Sequence, residues 1–336
     1  TDAAATAGAV VESAHGSRKP LFACWMGEHS VAAARHIFAK AHIPVFRTPE
    51  PAIDMFAHVS AFYINQQMLL HTPAPREQQD APAIDAAKEI IENALAQDRR
   101  TLTQLEAKVV LRAFCIPVGP ALPARTPQEA ILRAGELGFP VALKINSPDI
   151  SHKSDIDGIR LNLADASAVE AAFAKIIDNA QRQCPLAQID GVIVEKMLSS
   201  NQSRELMIGI KRDPVFGPAI VFAAGGTAAE VVRDRTLDLP PLNQPLVAAM
   251  IARTRVAQLL GRFRNLPAIN ADALESALLR VSEIACELPW IEELDINPLI
   301  VDASGVTAVD ARIVIAPRRQ AQHRYARSEE HTSELQ

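Results

Sequence analysis

Residues 139–163 read FPVALKINSPDISHKSDIDGIRLNL: an apolar run carrying Lys144, a polar loop from Ser147 to Gly158, and a second run from Ile159 to Leu163 in which apolar and polar residues alternate. An ammonium group inside an apolar strand is costly to bury unless it meets an anion. The phosphates of a nucleotide would satisfy Lys144, and so would a position from which the side chain snorkels to the surface. At the centre of the loop stands His152. A lone imidazole is more often a satisfied surface or core group than a reactive one, so its weight depends on what surrounds it.

Moving outward, Thr103 and Glu106 have the spacing of a capping box, which predicts a helix from Leu102 to about Phe114, followed by a strand at CIPV, residues 115–118. Thr126 with Pro127 and Glu129 opens a second helix that Gly138 closes, and Ser167 with Glu170 opens a third. The runs DGVIVEKM, RELMIGIK, PAIVFAA, LDINPLIV and VTAVDARIVI are strand candidates. Several alternate apolar with polar residues, as antiparallel strands with one face on a core and the other on a cleft or solvent do. This part is expected to be α+β, with helices covering one side of its sheets.

Upstream, PLFACWMG reads as a strand, residues 29–41 as a helix with Val31, Ala34, Ile37 and Phe38 on one face, IPVF as a strand, and Thr48-Pro49 as the opening of a long helix. Strand, helix, strand, helix is a piece of a parallel α/β sheet. Gly27, at the end of the first strand, suits either a tight turn or an approach to a ligand. Between the two parts, Pro73, Pro75 and Pro82 break regular structure, and a short helix follows over 84–95. The expected division is a lead-in at 1–17 to a chain cut upstream, an α/β part at 18–75, a linker with a helix at 76–101, the α+β domain at 102–316 and an exit at 317–326. The last residues, 327–336, read RSEEHTSELQ, which resembles the translation of a sequencing adapter and equally suits a polar tail; neither reading gives them a part in the fold.

The chain has 336 residues, 49% of them hydrophobic and 22% charged, with a net charge of −5, which leaves no broad basic surface for nucleic acid. No apolar stretch is long enough to span a membrane and no signal peptide is evident, so a cytoplasmic location is expected. Cys24, Cys115, Cys184 and Cys286 are scattered, as reduced packing cysteines are.

Three further sets of residues carry chemistry. Glu195, Lys196 and Met197 follow an apolar strand, where a strand end could present backbone to an adenine edge. Gly225 and Gly226 form a turn whose N–H groups could face phosphate oxygens, with Glu230 nearby; an ordinary hairpin turn explains the pair as well. Asp295 and Asn297 lie two apart on a strand and share a face, and Asp310 can bring a third oxygen from a neighbouring strand. Such a set suits Mg²⁺, which keeps several waters and binds through one or two carboxylates plus substrate phosphates.

Together these residues resemble a known family. LTQLEAKVVLRAFCIPV, FPVALKINSPDISHKSDIDGIRLNL, VIVEKM, RELMIGIKRDPVFGP, the GGT turn and ELDINPL with DARI make residues 102–315 similar to the ATP-grasp domain of the NDP-forming acyl-CoA synthetases, relatives of succinyl-CoA synthetase. KPLFACWMG, IPVFRTPEPAI and NQQMLLHTP make residues 18–75 similar to the closing part of the flavodoxin-like domain that precedes ATP-grasp there. Cys115 departs from the glycine common before IPV, and a local change of turn is expected.

The resemblance implies a phosphoryl relay that joins an acid, ATP and CoA into acyl-CoA, ADP and phosphate through phosphohistidine. His152 matches the histidine of the mobile loop. Lys144, Glu195, Asp295, Asn297 and Asp310 match nucleotide and Mg²⁺ positions. CoA and the acyl group would be held mainly by domains outside this stretch, and a homo-oligomer is compatible with it. The segment VVRDRTLDLPPLNQPLVAAMIARTRVAQLLGRFRNLPA, then ELPWIEELDINPL and RRQAQHRYA, looks like bacterial proteins in which the module precedes a GNAT acetyltransferase. Two other readings stay open: a regulatory acyl-CoA-sensing module of a protein lysine acetyltransferase, and an ATP-grasp ligase of the carboxylate–amine type, which SHKSD disfavours.

Overall fold

The computed structural model describes residues 2–317 apart from 18, 71–80, 151–152, 199–201, 227–233 and 265, and apart from the side chains of 68 and 69. His152, Glu230, most of the exit segment and the adapter-like tail lie outside the described residues. The chain divides near residue 73 into two compact units.

In the first unit the stretch expected as a lead-in is a helix, α1 (Ala3–Ala14), capped by the Asp2 carboxylate, which accepts from the Ala4 N–H at 2.9 Å. Alanine is the best helix former, and AAATAGAVV lacks only the apolar periodicity that would have marked it. Its Ala7 packs on Ala34 and Phe38 of α2 (Ala32–Lys40). Strands β1 (Ala23–Cys24) and β2 (Val45–Phe46) pair in parallel, and α3 (Pro49–Leu70) follows with proline in its first turn. Gly27 has φ 119°, open to glycine alone at little cost, and its carbonyl accepts from Arg35, so the end of β1 is a pinned turn.

The second unit is built on two antiparallel sheets. One orders β3 (Ala121–Ala124), β6 (Val192–Lys196), β4 (Val141–Ile145) and β5 (Ile159–Leu163). Helices α6 (Pro127–Leu137) and α7 (Ala166–Gln183) bury their apolar stripes against Val141, Leu143, Ile145, Val192 and Val194. Alternation then turns Ala142, Lys144, Ile193 and Glu195 to the opposite face. The other sheet orders β11 (Val306–Ala308), β10 (Ile291–Val301), β7 (Arg204–Asp213), β8 (Gly217–Ala224) and β9 (Arg235–Asp238), with β12 (Ala311–Ile315) also on β10. Its core is closed by α4 (Ile84–Ala96), α5 (Gln104–Ala113) and the helices Gln244–Ala252 and Ala271–Glu287.

Three local expectations differ from the structure. The helix expected inside a linker, α4, buries Ala87, Ile91 and Ala94 in the second core, and the Ala83 N–H donates to the Ala113 carbonyl at 2.8 Å, so it belongs to this unit. CIPV is not a strand: Cys115 has φ 59°, Pro117 has no N–H to give a ladder, and only Val118 bridges to Ala308; the strand begins later, at Ala121. Helix α7 is capped by Asp165 rather than Ser167, its carboxylate accepting from the Ala168 N–H at 2.8 Å. Strand β9 carries too short an apolar pattern to be foreseen. The Thr103/Glu106 capping box and the Thr126 cap with Pro127 form as expected.

Candidate functional site

Strand β10 is interrupted between Ile296 and Leu299, where Pro298 offers no N–H and the register with β7 shifts. Its first half pairs with β12 and its second with β11. Asp310 sits in the short connection between those two strands, opposite the break. Backbone bonds tie it there: the Asn297 N–H donates to the Asp310 carbonyl at 3.2 Å and the Val309 N–H to the Pro298 carbonyl at 3.1 Å. The pleat and the break together bring Asp295, Asn297 and Asp310 to the rim of one cleft of about 340 Å³. Ile145, Asn146, Ser147, Pro148, Ile150 and Lys153, from the end of β4 and the loop after it, line the same cleft.

Lys144 lies behind that lining, joined to it through Asp310. Its Nζ lies 2.9 Å from Asp310 Oδ2 and 2.8 Å from Glu195 Oε2, and it is only 5% exposed. Burial pushes its ammonium down, but Asp310 and Glu195 outweigh that and hold it above the ordinary lysine value. Burial likewise pushes the Asp310 carboxyl up, and Lys144 and Lys153 overcome it, leaving the group below the usual carboxylate range. Lys153, the residue after His152, is lowered by burial and by the nearby Lys144, against the opposing pull of Asp310. Lys144 therefore stays charged, held between Glu195 and Asp310.

The two ends of the His152 loop are fixed. The Asp149 N–H donates to Ser147 Oγ at 3.2 Å, and Asp149 Oδ2 accepts from the Gln188 N–H at 2.7 Å. On the far side the Gly158 N–H donates to the Lys153 carbonyl at 2.8 Å. A Cβ on Gly158 would stand 2.9 Å from both that carbonyl oxygen and Ile145, so glycine is required for the loop to return to β5.

The glycine turn after β8 is linked to the metal candidates: the Gly226 N–H, at φ 76°, donates to Asn297 Oδ1 at 3.4 Å. Glu195 sits differently from the strand-end role expected of it. Its carboxylate is an internal counterion, 3% exposed, engaged by Lys144, by Lys108 and by Gln104 Nε2 at 2.8 Å. Lys196 Nζ donates to the Leu137 carbonyl at 3.0 Å, and the Met197 N–H to that of Pro140 at 3.2 Å.

Sequence reasoning missed Gln104, Lys108, Lys153 and Arg312. Gln104 and Lys108 are one helical turn apart on the buried face of α5, beside Ala107 and Leu111, and that placement was the available signal. Lys153 and Arg312 line the cleft next to residues that were singled out.

The donor set fits a hard divalent cation. Asp295 Oδ1 is buried without a hydrogen-bond partner, and burial, with Glu293 and Asp310 adding, pushes its carboxyl up against the pull of Arg312. A cation beside it would relieve both conditions. Among the described residues no three His, Cys, Asp or Glu side chains cluster as a metal cage.

The family profile of the ATP-grasp domain matches residues 93–315. Acetate–CoA ligase (ADP-forming) I subunit beta of Pyrococcus furiosus is 38% identical over 229 residues, 68% of this chain and 97% of the relative. Acetate–CoA ligase (ADP-forming) I of Archaeoglobus fulgidus is 34% identical over 293 residues, 87% of this chain, which spans 42% of that longer relative. Among solved structures, acetyl-coenzyme A synthetase 1 of Ca. Korarchaeum cryptofilum superposes with a TM-score of 0.59 at 33% identity over 68% of this chain and 100% of that one. It was determined with coenzyme A and Mg-AMPPCP, its phosphohistidine segment pointing towards the nucleotide binding site. Family profile, relatives and fold agree with the cleft, and the chain belongs to the ATP-grasp family, in the branch of the ADP-forming acyl-CoA synthetases.

Proposed function

We propose that this chain is the nucleotide-binding phosphotransfer module of an ADP-forming acetyl-CoA or acyl-CoA synthetase. The observation that carries the reading is the cleft itself: Lys144 bridges Glu195 and Asp310, with Asp295 and Asn297 alongside and residues from both flanks of His152 in the wall. In the direction of ATP use, a ring nitrogen of His152 attacks the γ-phosphorus; the N–P bond forms, the bond to the bridging oxygen breaks and ADP leaves. Lys144 offsets charge on the phosphate oxygens, in a site too buried for water to screen it. Asp295, Asn297 and Asp310 would hold Mg²⁺, which when bound neutralises phosphate charge. The phosphoryl group would then serve the synthesis of acyl phosphate and its capture by CoA elsewhere in the enzyme, with acetate or another short acid as substrate.

The stretches from Val231 to Ala268 and from Glu287 to Leu299 support placing the module among bacterial cytoplasmic proteins that carry a GNAT acetyltransferase domain, which the full reading frame tests. No helix among the described residues is long and apolar enough to cross a membrane. The nucleotide reading is tested by titrating the purified chain calorimetrically with ADP, with and without Mg²⁺. Saturable binding that Mg²⁺ strengthens is expected. A chain that takes up no ADP under either condition contradicts the proposal.

A further inference from the structure

Helix α5 carries a second buried lysine that the phosphotransfer reading does not use. Lys108 is 4% exposed; its Nζ donates to the Gly119 carbonyl at 3.1 Å and ion-pairs with Glu195 Oε1, while Lys144 pairs with Oε2 of the same carboxylate. Gln104, one turn earlier on α5, donates to Oε1 at 2.8 Å. Glu195 is thus a shared counterion, held on one oxygen by the helix and holding with the other the lysine that pairs with Asp310 of the cleft lining.

Two consequences follow from charge and geometry. With Lys108 in place, the two carboxylates of Glu195 and Asp310 are balanced by two ammonium groups, and Lys153 adds a third cation to the cleft. Without Lys108 the balance shifts by one negative charge beside the place where polyphosphate must bind. Among the described residues Glu195 would also be left with Lys144 as its only cation, and would draw that ammonium away from the phosphates. We infer that Lys108 is a positioning residue for the nucleotide, acting through Glu195 on Lys144 without touching the ligand. This rests on the proposed nucleotide site.

The test compares ADP binding, in the presence of Mg²⁺, by the wild type, Lys108→Met, Glu195→Gln and the double variant, with thermal unfolding followed in parallel. Lys108→Met is expected to weaken ADP about tenfold in the wild-type background and by less than about twofold in the Glu195→Gln background, because residues that act as one network are not additive. Val110→Ala, in the apolar core beneath the same helix, is expected to lower the unfolding midpoint while leaving ADP affinity unchanged. Should Lys108→Met fail to fold, Lys108→Gln, which keeps a donor for Glu195, gives the same comparison with a smaller loss. Equal ADP affinity in the wild type and the folded Lys108 variant overturns the inference, as does an equal loss in both Glu195 backgrounds. Failure of the wild type itself to bind ADP would instead overturn the nucleotide reading.

Discussion

The two walls of the cleft are made of opposite chemistry on the same kind of scaffold. The four-stranded sheet brings Lys144 to Asp310 at the cleft, and the loop that leaves the sheet adds Lys153 to the lining. The six-stranded sheet presents oxygens: Asp295 and Asn297 from β10 and Asp310 from the connection beside it. Lys144 meets the other wall through Asp310, whereas Asp295 keeps a buried oxygen without a partner. On the proposed function, phosphate would belong with the first wall and a cation with the second, and Mg-nucleotide is a ligand that would engage both.

The strongest way to break this contrast is Lys144→Met. Removing one partner of a buried ion network costs about 3–5 kcal/mol in stability, since Glu195 and Asp310 are left undercompensated. ADP affinity is expected to fall by about a hundredfold, a difference of ~2.7 kcal/mol. The loss should persist without Mg²⁺, because this wall reads phosphate; calorimetry and urea unfolding measure the two effects. Asp310→Asn should act in the other sense, raising the Mg²⁺ needed for half-maximal ADP binding by roughly tenfold, within the range seen when groups around a metal are altered. Metal-free ADP binding should suffer less, because Lys144 loses an anionic competitor for the phosphates.

Asp295→Asn sharpens the contrast further. A buried carboxylate with an orphan oxygen destabilises the ligand-free fold, so its neutral replacement should raise the unfolding midpoint by ~2–4 °C at pH 7 while weakening Mg²⁺. Scanning calorimetry with and without Mg²⁺ separates the two.

The lysine on the first wall was legible because β4 is otherwise apolar, and the oxygens on the second because Asp295 and Asn297 share a strand face. What bonds them was not legible. Lys108 and Glu195 are 87 residues apart, and Lys144 and Asp310 are 166 apart, so which cation meets which anion is set by how the sheets pack. Glu195 was visible as the polar end of a strand, yet its occupation by α5 depends on a helix whose lysine looks, in sequence, like any solvated one. The longer β-strands were found as apolar or alternating runs. A strand was misplaced at CIPV, where Pro117 and the positive φ of Cys115 divert the chain before pairing begins.

The smallest effect serves as a control outside the cleft. Glu106 closes the capping box of α5, its carboxylate accepting from the Thr103 N–H at 2.7 Å and from Arg99. Burial pushes its carboxyl up, but Arg99 and Thr103 outweigh it, so its value lies below the 4.5 of a free glutamate. A lowered carboxylate contributes stability that is fully present above the unfolded value and is lost as pH falls through the folded one. Glu106→Gln should therefore cost ~1 kcal/mol at pH 7, a cost that shrinks in acid, with ADP binding unchanged. Urea denaturation at several pH values reads it.

On the proposed function, the cleft delivers a phosphoryl group to the loop histidine. Incubating the chain with γ-labelled ATP and Mg²⁺ should place an acid-labile, alkali-stable label on His152, absent from His152→Ala and strongly reduced in Lys144→Met. Undiminished labelling of His152→Ala, or a wild type that binds Mg-ATP and takes up no label, would contradict it.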